Sequence, residues 1–187
     1  DAEGELQRVL ELDPNYADAY LLMGDWYANY WEDFEKAIVW YTRYITLRPD
    51  DPVVRTRLGA TYLKVKDFRR ILDNLLGFIQ EHPNAVELMP IVAQAGMRQG
   101  KPEMAMAFFK KYLASFPKEE RFLYEDIRTI CTRHEASEFE GVNEADRMAL
   151  LKRFWNGLDP DLSTPINERQ LEHYRRVWVA RADFSKR

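Results

Sequence analysis

The sequence predicts an all-α fold, a helical solenoid of stacked helix pairs followed by C-terminal capping helices. Two observations predict it. Prolines recur at Pro14, Pro49, Pro83 and Pro117, at separations of 35, 34 and 34 residues. Each closes an amphipathic stretch, where a residue that cannot continue a helix and fixes φ suits a corner between repeats. Between the prolines, apolar residues fall into two helical patterns per unit. Recurrence near 34 residues with two helices per unit is what a stacked array of helix hairpins produces.

The N-terminal residues 1–15 read as a partial repeat. Glu5–Leu12 has Leu6, Val9, Leu10 and Leu12 on its apolar side and resembles a second helix whose first helix is missing, as in a piece of a longer protein. Full repeats are expected over about 16–49, 50–83 and 84–117, which makes 1–117 one solenoid. The third repeat turns at Gly100-Lys101-Pro102, and Pro90 inside its first helix predicts a kink or a weaker helix. Residues 118–142 are expected to form a capping helix over 118–135, with Phe122, Ile127, Ile130 and a half-buried His134, and then a linker over 136–142. Finite arrays need such a cap. Residues 143–187 form a helical segment. One helix starts at the N-cap Asn143 and buries Met148, Leu151, Phe154 and Trp155 before Gly157 stops it. Thr164-Pro165 reads as the start of a last helix, with Leu171, Tyr174, Val177, Trp178 and Arg181 at three- and four-residue spacing.

The residues inside the units resemble a known family. Repeat one shows Tyr20, Met23, Gly24 and Tyr27, then Ala37, Tyr41, Tyr44 and Pro49. Repeat two shows Leu58, Gly59 and Tyr62, then Ile71, Leu75, Phe78 and Pro83. Repeat three keeps Ala93, Ala105, Phe109, Tyr112 and Pro117, with Gly96 where an aromatic is usual. These spacings resemble the tetratricopeptide repeat (TPR) over roughly residues 5–117, with the extra residue of repeat one in the turn Asn29–Phe34. The resemblance implies a right-handed TPR solenoid whose first helices line a concave groove. That register places Asp18, Leu21 and Asp25 in the groove from repeat one, Thr56, Ala60 and Leu63 from repeat two, and Glu87, Gln94 and Met97 from repeat three. Leu21 and Asp25 replace the lysine and asparagine with which some members clamp a C-terminal carboxylate. The groove is thus expected to take an extended segment or a helix of a protein partner.

A second resemblance covers residues 147–187. Phe154-Trp155, Asp159-Pro160, Thr164-Pro165, Asn167-Glu168, Tyr174, Arg176-Val177, Ala180 and Phe184 are similar to the opening of the bacterial GWxTD domain. This implies a bacterial source and favours the cell envelope or periplasm over the cytoplasm.

Charge and aromatic placement narrow the function further. Residues 147–187 hold 9 Lys/Arg against 5 Asp/Glu, and the other 146 residues hold 18 against 26. An acidic solenoid argues against a nucleic-acid partner. The basic tail, with Arg169, His173, Arg175, Arg176, Trp178 and Arg181, is read either as a solvated helix face or as a contact for a nucleic-acid strand, an anionic membrane surface or an acidic protein. Trp31 and Trp40 lie outside the seam positions, so each either anchors a partner or packs on a neighbouring repeat.

No arrangement of residues points to an active site. His82, His134 and His173 lack metal-ligand spacing, Cys131 is the single cysteine, and no glycine loop cradles phosphate. No apolar run approaches the roughly 20 residues that span a bilayer, although peripheral membrane association stays open. The expectation is no enzyme, cofactor, metal or small-molecule substrate. The chain reads as a protein–protein interaction scaffold or accessory subunit whose partners are other subunits of a larger assembly. The alternative is a positioning or regulatory fragment of a longer protein whose catalytic part lies elsewhere.

Overall fold

The structure is a computed structural model that describes residues 2–184; Lys186 and Arg187 of the basic tail lie outside the described residues. The chain divides into two compact units, 1–100 and 101–187. The division falls inside the third repeat's turn, at Gly100, and not at Pro117 where the solenoid was expected to end. Among the described residues every regular element is helical.

The first unit contains α1 (Ala2–Leu12), α2 (Ala17–Asn29), α3 (Phe34–Leu47), α4 (Pro52–Lys64), α5 (Phe68–Glu81), a 3-10 turn (Val86–Leu88) and α6 (Met89–Arg98). Three of its helices, α3, α4 and α5, start where aspartates cap them. Asp33 accepts from the Lys36 amide at 3.1 Å and Asp67 from the Arg70 amide at 2.9 Å. Asp51 accepts from the Val53 amide at 2.8 Å, with Pro52 in the first turn. Each cap satisfies a donor that the helix itself leaves open.

Two residues before each second helix, the chain adopts the left-handed conformation, with φ of 52° at Glu32, 59° at Lys66 and 67° at Gly100. These positions are spaced at 34 residues, so the repeat is written into the turns as well as the prolines. The extra residue of repeat one does fall in the turn: four residues separate α2 from α3, but only three separate α4 from α5.

Two glycines set how closely the helices pack. A methyl group on Gly24 would stand 2.5 Å from the Tyr41 ring, which ties α2 against α3. One on Gly59 would stand 2.9 Å from Leu75 and 3.1 Å from Ile91, which ties α4 against both α5 and α6. Met23, Tyr41, Leu58, Tyr62, Ile71, Leu75, Ile91 and Val92 fill the seams.

Two expectations are corrected here. Pro90 does not kink a helix, because α6 begins at Met89 after the 3-10 turn and places Pro90 in its first turn, where no amide is needed. Leu12 is 88% exposed, so the apolar side of α1 ends at Leu10.

The second unit contains α7 (Pro102–Ala114), α8 (Lys118–Glu125), α9 (Arg133–Glu140), α10 (Glu144–Gly157) and α11 (Glu168–Phe184). Its core is a cluster of Ile127, Phe139, Leu151 and Trp155, with Phe122, Cys131 and Phe154 against it. Beside this lies a chain of rings: Phe109 and Tyr174 at 6.2 Å, Tyr174 and Tyr124 at 6.4 Å, Tyr124 and Tyr112 at 6.2 Å.

The expected capping helix over 118–135 is two helices. Asp126 breaks it by accepting from the Arg128 amide at 3.0 Å, which turns the chain and buries Ile127. The expected linker 136–142 is mostly α9, started by a capping box in which Thr132 and Glu135 bond each other's amides. His134 projects from α9 and is exposed, 3.7 Å from Glu138. The last helix is capped by Asn167, which accepts from the Gln170 amide at 2.9 Å. Thr164 instead braces the preceding loop through Asp161, Ile166 and Glu168.

Candidate protein-interaction face

Three first helices follow one another in the first unit. The carboxylate of Asp25 on α2 accepts from the Tyr41 hydroxyl at 2.8 Å and pairs with Arg57 on α4. Gly59 brings α4 onto Ile91 of α6. Burial, and after it the bond to Asp25, push the Tyr41 hydroxyl well above its ordinary pKa. This ring therefore stays a neutral donor that holds Asp25 in place.

The predicted groove residues sort into three groups. Asp18, Ala60 and Glu87 are exposed, while Leu21, Leu63 and Met97 are half-buried with surface to offer. Asp18 sits in the first turn of α2 and Glu87 in the 3-10 turn before α6, while Leu63 and Met97 sit in the last turns of α4 and α6, so the acidic residues of this set lie at one end. Asp25 and Thr56 are already engaged, the first as described and the second by donating its hydroxyl to Pro52 at 2.8 Å. Gln94 departs from the expectation: it is 9% exposed, inside a run of buried residues from Met89 to Gly96, with its Nε2 lacking a partner. α6 is buried around this position, which withdraws Gln94 from the surface.

The two tryptophans do not share a patch. Trp31 is 59% exposed and meets Trp26 at 6.0 Å and Tyr30 at 5.4 Å. Trp40 is half-buried and lies 6.0 Å from Tyr20. Ten residues of helix separate Tyr20 from Tyr30, a rise of about 15 Å. Trp31 stands at the C-terminal end of α2 because the extra residue of the turn carries it there. Trp40 packs near the other end.

The basic helix α11 is largely neutralised within its own unit. Glu172 takes Arg175 in a two-pronged pair at 2.8 Å and Arg176 at 2.8 Å. The hydrogen bond from Arg175, with help from Arg176 and against burial, lowers the Glu172 carboxyl to about 2. Arg181 lies 3.5 Å from Glu120 and stacks over Phe116 and Tyr124. His173 is held at 3.0 Å from the Tyr124 carbonyl, and burial pushes its pKa down. Trp178 is half-buried, and Arg169 is exposed. The aromatic and arginine interleaving thus serves packing and internal ion pairs.

Three surface-relevant residues escaped sequence reasoning: Arg57, Trp26 and Tyr30. The one available signal was register. Arg57 occupies the place that Leu22 holds in repeat one, and a charge there marks a partner on the neighbouring helix.

Among the described residues no cluster of three or more His, Cys, Asp or Glu is placed to hold a metal, and no helix is long and apolar enough to cross a membrane.

Comparison with known proteins agrees with this geometry. Residues 17–51 match the tetratricopeptide repeat family. A solved structure titled "MamA RS-1 ArsTM double mutant" superposes with a TM-score of 0.56 at 19% identity, covering 83% of this chain and 84% of that one. No curated protein sequence matches. At that identity the likeness speaks for fold alone. The fold is all-α and of the TPR helical-repeat type.

Proposed function

We propose that this chain is a non-enzymatic protein–protein interaction scaffold, an accessory subunit of a larger bacterial assembly associated with the cell envelope. The observation that carries the reading is the succession of first helices α2, α4 and α6. It offers Leu21, Leu63 and Met97 as apolar surface beside the exposed Asp18, Ala60 and Glu87. Such a face takes an apolar segment, extended or helical, with basic residues toward the Asp18 and Glu87 end. Asp25, held by Tyr41 and Arg57, contributes rigidity to it.

The envelope assignment rests on the resemblance of residues 147–187 to the opening of the GWxTD domain. That resemblance also favours the second reading, in which these repeats position the catalytic part of a longer protein. Pull-down from the native source with tagged wild type and with Ala60→Arg/Leu63→Arg tests the first reading. The expected result is a discrete set of partners that the variant loses while its helicity is unchanged. Recovery of the same set by the variant counts against the groove.

A further inference from the structure

Four helices of the second unit, α7, α8, α10 and α11, leave a cleft of about 300 Å³ between them. Its floor is made by Leu151, Trp155 and Tyr174, all buried within the unit. Met148, 57% exposed, forms a movable apolar wall. An apolar, partly aromatic floor with a few convergent polar groups is the make-up of a small-ligand site.

The polar groups at this cleft have hydrogen-bond donors in surplus. Gln170 donates its side-chain amide to the Tyr174 hydroxyl at 2.9 Å, which leaves the hydrogen of that hydroxyl uncommitted. With the amide turned over, Tyr174 would donate and the two N–H groups of Gln170 would be left, so the pair keeps a spare donor either way. Burial, and after it the charge of Glu125, push the Tyr174 hydroxyl up to about 12, so it stays protonated. Lys110 and Lys152 stand at the cleft, both exposed, and neither has a hydrogen bond or an ion pair among the described residues. Glu125, the one acid among the described lining residues, is already engaged.

We propose that this cleft binds a small carboxylic acid with a flat apolar body. The body lies on Trp155 and Leu151, and the carboxylate accepts from the Tyr174–Gln170 pair in the field of Lys110 and Lys152. Two lysines against one glutamate leave the lining one positive charge in excess, which complements a monoanion better than a phosphate dianion. The proposal adds a ligand site to the scaffold reading and does not depend on it.

The test uses the full chain with phenylacetate, phenethyl alcohol and phenethylammonium as probes, read by calorimetry and by the indole N–H resonance of Trp155. The expected result is saturable binding of phenylacetate that shifts this resonance. The alcohol and the amine should bind weaker by roughly tenfold or more, since neither makes the charge-assisted hydrogen bonds. Lys110→Gln/Lys152→Gln, a variant of two exposed positions, should weaken phenylacetate by roughly the same factor. So should Gln170→Leu/Tyr174→Phe, which removes both partners of the buried pair and is therefore mild for the fold. Circular dichroism checks that both variants keep their helicity. Lys111→Gln, adjacent in sequence but outside the lining, should bind as wild type. Three outcomes overturn the proposal: no saturable binding of phenylacetate, equal affinity for the alcohol, or wild-type affinity in either double variant. Equal affinity for the alcohol would leave an apolar cleft without anion recognition.

Discussion

The two units solve the same problem in different ways. In the first, the helices of repeats one and two meet through devices that recur with the sequence period: a glycine opposite a large side chain, an aspartate cap, a left-handed residue ahead of the second helix. In the second, an apolar cluster built mainly from α9 and α10 sits beside a chain of rings from α7, α8 and α11, and bonds specific to single residues hold them. The His173 contact with the Tyr124 carbonyl joins positions 49 residues apart, whereas the Tyr41–Asp25 bond spans 16. Arginines lie on rings throughout the second unit, as Arg147 does 5.0 Å over Phe139 and 5.5 Å over Phe122. A periodic unit can be damaged locally and keep its neighbours, because each repeat leans only on the next. A unit packed without a repeat has no such reserve.

Removing the centre of that cluster should break the comparison most sharply. Trp155→Ala deletes a side chain that is 5% exposed and should cost about 3–5 kcal/mol. In urea denaturation followed by unit-specific probes, the transition of the second unit should move and that of the first should stay. A shift of both together would make them one cooperative body. Gly24→Ala attacks the first unit's own device. Its methyl would stand 2.5 Å from the rigid Tyr41 ring, against 2.9 Å from the movable end of Leu75 for Gly59→Ala. The loss at Gly24 should be about 1–3 kcal/mol and should exceed that at Gly59 in the same denaturation assay.

Tyr41→Phe should cost about 1–1.5 kcal/mol, since it leaves one face of the Asp25 carboxylate without its donor. Asp25→Asn should lose most of its own effect in that background.

Glu172 gives the second unit an acid sensitivity. Its carboxyl titrates at about 2 in the fold against 4.5 ordinarily. The unfolded chain therefore takes up the proton first, so the contribution is full above pH 4.5 and is lost as pH falls toward 2. Glu172→Gln should flatten stability across that window by about 1 kcal/mol, the pair being partly exposed and screened. Smallest of all, Lys66→Gly should raise stability by about 0.5–1 kcal/mol by relieving a left-handed residue, a gain read as a higher melting temperature.

The same contrast explains what the sequence made legible. Proline spacing, the Gly24 and Gly59 positions and the long turn of repeat one all follow from local chemistry repeated at a fixed interval, and the structure reproduces them. The break at Asp126 and the helix over Arg133–Glu140 do not repeat. Their signals were the Thr132/Glu135 capping pair and an aspartate that bonds two residues ahead, both outweighed by a helical spacing that ran through Phe122, Ile127 and Ile130. Thr164-Pro165 looked like a helix start, yet Asn167 won because its side chain also donates to the Trp155 carbonyl at 2.5 Å and fixes the loop. In the groove, register alone placed Leu63 and Met97 at the surface. It had no means to show that Gln94 is buried or that Asp25 is already engaged, because both depend on neighbours distant in sequence.

The most direct test of the scaffold reading places a photocrosslinking amino acid at Leu63 or Met97 of the full chain in its native source, with Asp73 on the exposed side of α5 as control. The account predicts a discrete set of crosslinked proteins, shared by positions 63 and 97 and absent at 73. Crosslinks of equal yield and identity at all three positions, or none at 63 and 97, would contradict it.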